Sequence, residues 1–295
     1  MTRRLEDSLI ALFRQTLQEA KAGGYNTPSG YVALDATDPQ LFPPRYYSSR
    51  EAEFLAHESV EALGADALVT CSVKVIDADS YGAALAMTKI PTVEGDKPPL
   101  VLNFANPHEP GGGVWRGALA QEEDLCRRST LYPYLSSAAA QPFYEENLRA
   151  HGGLFTHNAL LVPKVQVFRM SDGTHLTQPF EVSVLTMAAP YVPFTIDVAT
   201  TELRETIQLR IGAMLRIAAS NGYRRLVLGA WGCGAFGNDP TMVATCFKEE
   251  LQALDCLPVG EGTGQEPCVA PFDHVWFAIP AGGINHRVFA AILDV

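Results

Sequence analysis

Twice along this chain of 295 residues a compact apolar run opens into a glycine-rich loop and then into a helical pattern. In the first copy, residues 100–104 lie between Pro98-Pro99 and Asn106-Pro107 and lead to Gly111-Gly112-Gly113. In the second, residues 226–228 run into Gly229-Ala230-Trp231-Gly232-Cys233-Gly234-Ala235-Phe236-Gly237, followed by Asn238-Asp239-Pro240. Short apolar runs bounded by turn residues read as buried strands. A glycine loop between a strand and a helix lies at the strand's carboxyl end, where open α/β sheets form their ligand crevices. The repeat of this pattern predicts an α/β domain with a site built from two loops.

The rest of the chain fits one such unit. Leu5, Leu9, Leu12, Phe13 and Leu17 recur at helical spacing, so residues 4–21 read as an amphipathic helix stopped by Gly23-Gly24. Residues 69–76 read as a strand, 81–89 as a short helix and 121–135 as one helix. Residues 141–180, with Gly152-Gly153, Ser171-Asp172-Gly173 and Pro179, read as an insertion of loops and short strands. A strand at 182–187, a helix at 202–220, a helix at 241–254 and a surface loop at 258–271 follow. Residues 274–279 and 284–293 supply a last strand and helix. The chain shows no internal repeat and no interdomain linker.

A glycine loop at a helix start presents bare N–H groups and the positive end of the helix dipole, the ingredients of a phosphate site. Neither loop fits GxGxxG followed by an acid about 20 residues on, nor the P-loop pattern GxxxxGK[ST]. The four glycines at 229–237 make the second loop the better diphosphate cradle. Its alternative is a tight structural turn. Behind the first loop comes Gln121-Glu122-Glu123, at the start of the expected helix. First-turn acids are common because they favour the dipole, which is the plain reading of Glu122 and Glu123. Beside a glycine loop they read as catalytic carboxylates on a glycosidic bond near a phosphate-rich group. Neighbouring helical residues point about 100° apart and cannot flank one bond symmetrically, so one acid moves the proton and the other orients the sugar. Phe236 fits either a buried anchor or a cover for a ribose or base. Asn106 fits either a turn residue or a ribose partner, while Trp115, Arg116, Tyr132 and Tyr134 lie near the same helix.

Charge narrows the ligand. The balance of 22 basic against 33 acidic residues, −11, offers no cationic track for an extended nucleic-acid backbone. A short anion gripped by backbone amides remains compatible with it. No apolar run approaches the ~20 residues that span a bilayer, and the first residues lack a secretory core. Six cysteines without a CxxC pair predict reduced thiols in an intracellular protein. Seven histidines without ligand spacing predict no metal, and no cofactor is called for.

At these residues the chain resembles the macrodomain superfamily. Asn103-Phe104-Ala105-Asn106 with Gly111-Gly112-Gly113-Val114 resembles its ribose-binding loop, and Gly232-Cys233-Gly234-Ala235-Phe236-Gly237 its diphosphate loop. Gln121-Glu122-Glu123, seven residues after the triple glycine, resembles the signature of poly(ADP-ribose) glycohydrolases of the microbial type, found in bacteria and fungi. The likeness extends over most of the chain, through Arg127-Arg128-Ser129-Thr130, Val165 to Arg169, and Asn238-Asp239-Pro240. Two departures stand out: Asn106, where the family often has Ser, and Ala189-Pro190-Tyr191, where Ala-Pro-Asn is commoner.

The resemblance implies a three-layer α/β/α unit with a mixed central sheet and an N-terminal helical extension, residues 1–90 forming the extension and 98–295 the core. It implies a glycosidase that reverses ADP-ribosylation, acting on poly(ADP-ribose) or ADP-ribosylated protein as a monomer, with no nucleic acid or membrane partner. It also implies a setting in the DNA damage response. Glu123 is then the general acid/base and Glu122 the residue that positions the sugar hydroxyls. Asn106, Gly112, Gly113 and Val114 then line the distal ribose, Gly111 and Gln121 are further substrate-binding residues, and residues 232–237 hold the diphosphate. A hydrolase for another ADP-ribosyl linkage shares this pocket, and a binding module without turnover would need neither glutamate.

Overall fold

The apolar run Leu100–Phe104 is a strand covered on both faces, with Leu100, Val101 and Leu102 all buried. The computed structural model describes residues 3–35, 38–59, 71–150, 152–194, 198–258 and 270–295. The chain opens with helix α1 (Arg3–Ala22) and an antiparallel hairpin, β1 (Gly24–Thr27) and β2 (Gly30–Ala33). Then come β3 (Arg45–Tyr47), α2 (Ser49–Leu55), β4 (Ser72–Ile76), α3 (Ser80–Met87) and β5 (Leu100–Phe104). Three helices follow: α4 (Gln121–Arg128), α5 (Leu131–Leu135) and α6 (Gln141–Arg149). Strands β6 (Ala159–Arg169) and β7 (His175–Met187) form a long antiparallel pair. The remainder is α7 (Thr200–Ser220), β8 (Arg225–Leu228), α8 (Pro240–Ala253), β9 (His274–Ala278) and α9 (Ile284–Leu293).

Seven strands form one mixed sheet in the order β3-β6-β7-β5-β8-β9-β4. From β7 to β4 the neighbours are parallel; β6 is antiparallel to β7 and to β3. Alternation along β5 divides the core. Leu100 and Leu102 join Leu226, Ile211, Leu215, Phe247 and Phe289, under α7, α8 and α9. Val101 joins Val184, Val227, Ala84, Leu125 and Phe143, under α3 to α6. The unit is therefore the three-layer α/β/α arrangement with a mixed sheet. Among the described residues no helix is long and apolar enough to cross a membrane.

Several expectations need correction. Residues 121–135 are two helices because Ser129 turns extended, with φ −149°, and bridges Val167 of β6. Beyond the three residues paired with β3, the edge of β6 has free backbone groups; Thr130 N–H donates to Gln166 O at 3.0 Å, and Gln166 N–H to Thr130 Oγ1 at 2.9 Å. Residues 141–180 are not an insertion of loops and short strands but α6 and most of the β6–β7 hairpin. Register shifts between Val162 and Val165 and between Val167 and Arg169 break the period-two pattern there. The segment 1–90 also contributes both edges of the sheet, β3 and β4, while α1 and the β1–β2 hairpin lie outside it. Residues 69–70 and 259–269, which fall in an expected strand and loop, lie outside the described residues.

Candidate active site

Because β7, β5, β8, β9 and β4 are parallel, their carboxyl ends share one edge of the sheet. A cleft of about 450 Å³ opens there. Its walls are Asp79 and Ser80 after β4, Phe104 and Ala105 at the end of β5, Ala189 after β7, Gly232 to Phe236 after β8 apart from Cys233, and Ile279 after β9. Residues 119–121 and Asp124 close one side, and Asn285 another.

Gln121 sets the pose of α4. Its Oε1 accepts from Phe104 N–H at 2.9 Å, and its Nε2 donates to Leu102 O at 2.7 Å and Ser80 Oγ at 3.1 Å. The amide is thus spent on the backbone of β5, and Gln121 serves as a clamp that fixes the next two residues. Glu122 points into the sheet side. Its Oε1 accepts from Asn103 Nδ2 at 3.2 Å and its Oε2 from Asn106 N–H at 2.7 Å. Asn103 stands on the α4 face of β5, paired with Thr186 of β7, and donates to its hydroxyl at 3.2 Å. Glu122 is 2% exposed, and burial pushes its carboxyl up to about 8 against the pull of those donors, with the Glu123 charge adding to the rise.

Glu123 turns toward the triple glycine. Its Oε1 accepts from Gly113 N–H at 2.7 Å, while its Oε2 is buried without a hydrogen-bond partner. Gly112 explains why glycine is needed here. At φ +56°, a Cβ on it would stand 2.6 Å from Glu123 Oε1 and 3.2 Å from Glu122 Oε2. The two carboxyl groups therefore converge on the bare backbone of Gly112. Gly111, at φ +68°, rests against the Tyr132 ring, and Val114 is fully buried. Asn106 accepts from His108 and Glu109 N–H at 2.8 and 2.9 Å, so its carbonyl holds the loop as a turn residue does.

The second loop is pinned from below. Trp231 is fully buried and donates from Nε1 to Met187 O at 3.0 Å. Asn238 Nδ2 donates to Pro190 O at 2.8 Å and Gly232 O at 3.0 Å. Gly232, at φ +74°, leaves no room for a Cβ, which would meet Ala189 Cβ and Asn238 Nδ2 at 2.6 Å. With its ends fixed, the loop leaves the N–H groups of Gly234, Ala235 and Phe236 without partners among the described residues. Successive free amides of this kind bind anions. Cys233 packs against the core, and burial pushes its thiol up to about 12.

Phe236 is half-buried and belongs to an aromatic rim, 5.4 Å from Tyr191 and 6.4 Å from Phe155 between ring centroids. Phe155 in turn meets the His108 ring edge-on at 5.4 Å, so it joins the two glycine loops. Sequence reasoning missed Phe155, whose only local signal is the preceding Gly152-Gly153. It also missed Asp79, Ser80 and Asn285; Asp79, the N-cap of α3, carried a readable capping signal. Of the aromatics near α4, Trp115 donates to Tyr132 OH at 2.7 Å, and Tyr134 is buried in the core. Arg116 pairs with Glu109 at the surface.

Comparison with known proteins agrees with this geometry. A family model described as the microbial-type PARG catalytic domain matches residues 14–170. The poly(ADP-ribose) glycohydrolase (PARG) of Thermomonospora curvata is 34% identical, with 97% of this chain and 99% of that one covered and a TM-score of 0.83. The same enzyme bound to the inhibitor ADP-HPD is 32% identical over the same shares, with a TM-score of 0.80. The enzyme of Deinococcus radiodurans in complex with ADP-ribose is 30% identical over 89% of this chain and 98% of that one, with a TM-score of 0.74. No curated protein matches. With its family model, its sheet and its converging glutamates in agreement, the chain belongs to the microbial-type poly(ADP-ribose) glycohydrolases.

Proposed function

We propose that this chain hydrolyses the ribose–ribose O-glycosidic bond of poly(ADP-ribose), releasing ADP-ribose, with Glu123 as general acid and base. The observation that carries the reading is the pose of the Glu123 carboxyl: its Oε1, beside Gly112, is held by Gly113 N–H, and its buried Oε2 is left without a partner. A protonated Oε2 gives its proton to the departing 2′-oxygen while an oxocarbenium-like centre forms at the anomeric carbon. Water then adds to that carbon, its proton passes to the Glu123 carboxylate, and the acid is restored. Glu122, held by Asn103 and Asn106, orients the ribose hydroxyls. The free amides at 234–236 grip the diphosphate, and this needs no net positive charge on the protein.

The family relatives support this substrate, since the homologous structures are glycohydrolases of poly(ADP-ribose), one bound to ADP-ribose. The five described cysteines are free, which fits an intracellular setting. The charge of −11 favours a grip on the chain's end over tracking along it, so free ADP-ribose is the expected early product.

The test is release of ADP-ribose from purified polymer by the wild type and Glu123→Gln, with ADP-ribose binding followed by calorimetry. The expected loss is ~10²–10⁴-fold with binding kept. A loss under roughly tenfold removes Glu123 from the acid's role. Binding with no release by the wild type turns the reading to another ADP-ribosyl linkage.

A further inference from the structure

The aromatic rim has a buried anchor in α7. Arg210, in the middle of α7, is 0% exposed, and no carboxylate touches its guanidinium among the described residues. Its Nη2 donates to Leu154 O, its Nη1 to Ala188 O at 2.9 Å, and its Nε to His157 Nδ1 at 3.3 Å. Burial alone drives its pKa down to about 9; burial first, and then the Arg210 charge, hold His157 well below the usual histidine range, so the imidazole stays a neutral acceptor. Burying a cation without a counter-charge is costly, and a Leu or Met would fill such a core position without that cost. The partners indicate what the guanidinium does.

Each carbonyl it holds immediately precedes a residue of the cleft or of its aromatic rim. Leu154 O precedes Phe155, a non-glycine residue at φ +59°, a conformation that tertiary contacts must enforce. Ala188 O precedes Ala189, which lines the cleft and abuts Gly232. The two segments are also stitched above: Tyr191 N–H donates to Gly153 O at 2.7 Å and Gly153 N–H to Phe194 O at 3.3 Å. Val192 N–H then donates to Phe236 O at 3.0 Å in the diphosphate loop. Among the described residues, Arg210 is the one side chain bonded both to the loop that carries Phe155 and to the end of β7 on which the second glycine loop rests.

We propose that Arg210 is a positioning residue for substrate binding, acting through Phe155: its planar fork sets the loop 152–156 against the end of β7, and this aims Phe155 between His108 and Phe236. The proposal rests on the reading of the cleft as an ADP-ribose site. A lysine keeps the charge and loses the fork, since an ammonium cannot serve two carbonyls and an imidazole in that plane. Misaiming a wall of the site by a fraction of an ångström weakens binding strongly while leaving Glu123 untouched.

The experiment compares Arg210→Lys, Phe155→Ala, the double variant and the wild type, reading ADP-ribose Kd by calorimetry and KM and kcat on poly(ADP-ribose). Thermal melting checks that each is folded. Arg210→Lys is expected to raise Kd and KM roughly tenfold with kcat within about threefold, and Phe155→Ala to do the same. Because the two act through one contact, the double variant should be no weaker than about twice either single one. His157→Ala, which leaves both carbonyl bonds and removes only the acceptor for Nε, is expected to raise Kd about threefold and gives a readout where Arg210→Lys fails to fold. Wild-type Kd in folded Arg210→Lys and in His157→Ala overturns the proposal, as does full multiplication of the Arg210 and Phe155 effects. A wild type that does not bind ADP-ribose instead sinks the functional reading beneath it.

Discussion

Replacing Glu122 by Gln should change how stability depends on pH more than it changes the fold. Burial raises the Glu122 carboxyl from its ordinary 4.5 to about 8. Below about pH 4.5 the group is neutral in both folded and unfolded chains, and the full stability is present. Between 4.5 and about 8 the unfolded chain ionises while the native one keeps its proton, so stability falls as pH rises. At about 1.4 kcal/mol per unit, the whole span is worth on the order of 5 kcal/mol, a large part of a typical domain's margin. Gln is uncharged and nearly isosteric. Its Oε1 can accept from Asn106 N–H, and its Nε2 can donate to Asn103 Oδ1, a buried acceptor without a partner, once that amide turns over. Urea unfolding of both proteins from pH 5 to 8.5 measures the effect. The stability of Glu122→Gln relative to wild type should rise steadily across this range, by at least about 2 kcal/mol. Parallel curves would refute the burial argument, and a variant destabilised equally at every pH would mean that Gln cannot keep the Asn103–Asn106 network.

Two further outcomes follow from single residues. Gly112→Ala should abolish turnover and cost at least about 1 kcal/mol in urea unfolding, since the added Cβ meets Glu123 Oε1 at 2.6 Å and the residue sits at φ +56°; a variant with near wild-type kcat would show that the two carboxyl groups need not converge there. His157 works in the opposite sense to Glu122: burial, then the Arg210 charge, lowers it from 6.5 to about 4, so its contribution is present above pH 6.5 and lost as pH falls toward 4. His157→Gln should therefore flatten acid destabilisation in this window by roughly 2–3 kcal/mol, read from unfolding curves at pH 4 to 7.

The parts legible in the sequence are those whose cause is local. The strand Leu100–Phe104 was readable to the residue because Pro98-Pro99 and Asn106-Pro107 bound an unbroken apolar run. Helix α9 was equally plain, and α1, α7 and α8 fell within a residue or two, each ended by glycine or a break in its stripe. The glycine loops were visible because only glycine serves where a Cβ would strike a carboxylate or a packed side chain, as at Gly112 and Gly232. Illegible were β3 and the β1–β2 hairpin, too short to show a period, and the long β6–β7 pair, whose register shifts scramble it. The clamp that Gln121 makes was illegible too, because its partners, Phe104 N–H and Leu102 O, are backbone groups that no side-chain pattern announces.

By itself, then, the sequence determined an α/β unit, two anion-ready loops at strand ends and a pair of acids at a helix start, because propensity, glycine sterics and apolar periodicity act over a few residues. Tertiary structure alone decided which acid lies where. Glu122 is drawn inward by Asn103, which alternation puts on the same face of β5 as Val101 and which meets the acid only because α4 packs on that face. Glu123 turns to the triple glycine and keeps one oxygen free because the Gln121 clamp fixes the rotation of α4. The loop of Phe155 is held by a buried arginine 55 positions later in the chain, a contact between segments that share no local pattern. Such choices depend on groups distant in sequence meeting in a dry core, where an unpaired polar atom is costly enough to settle every orientation.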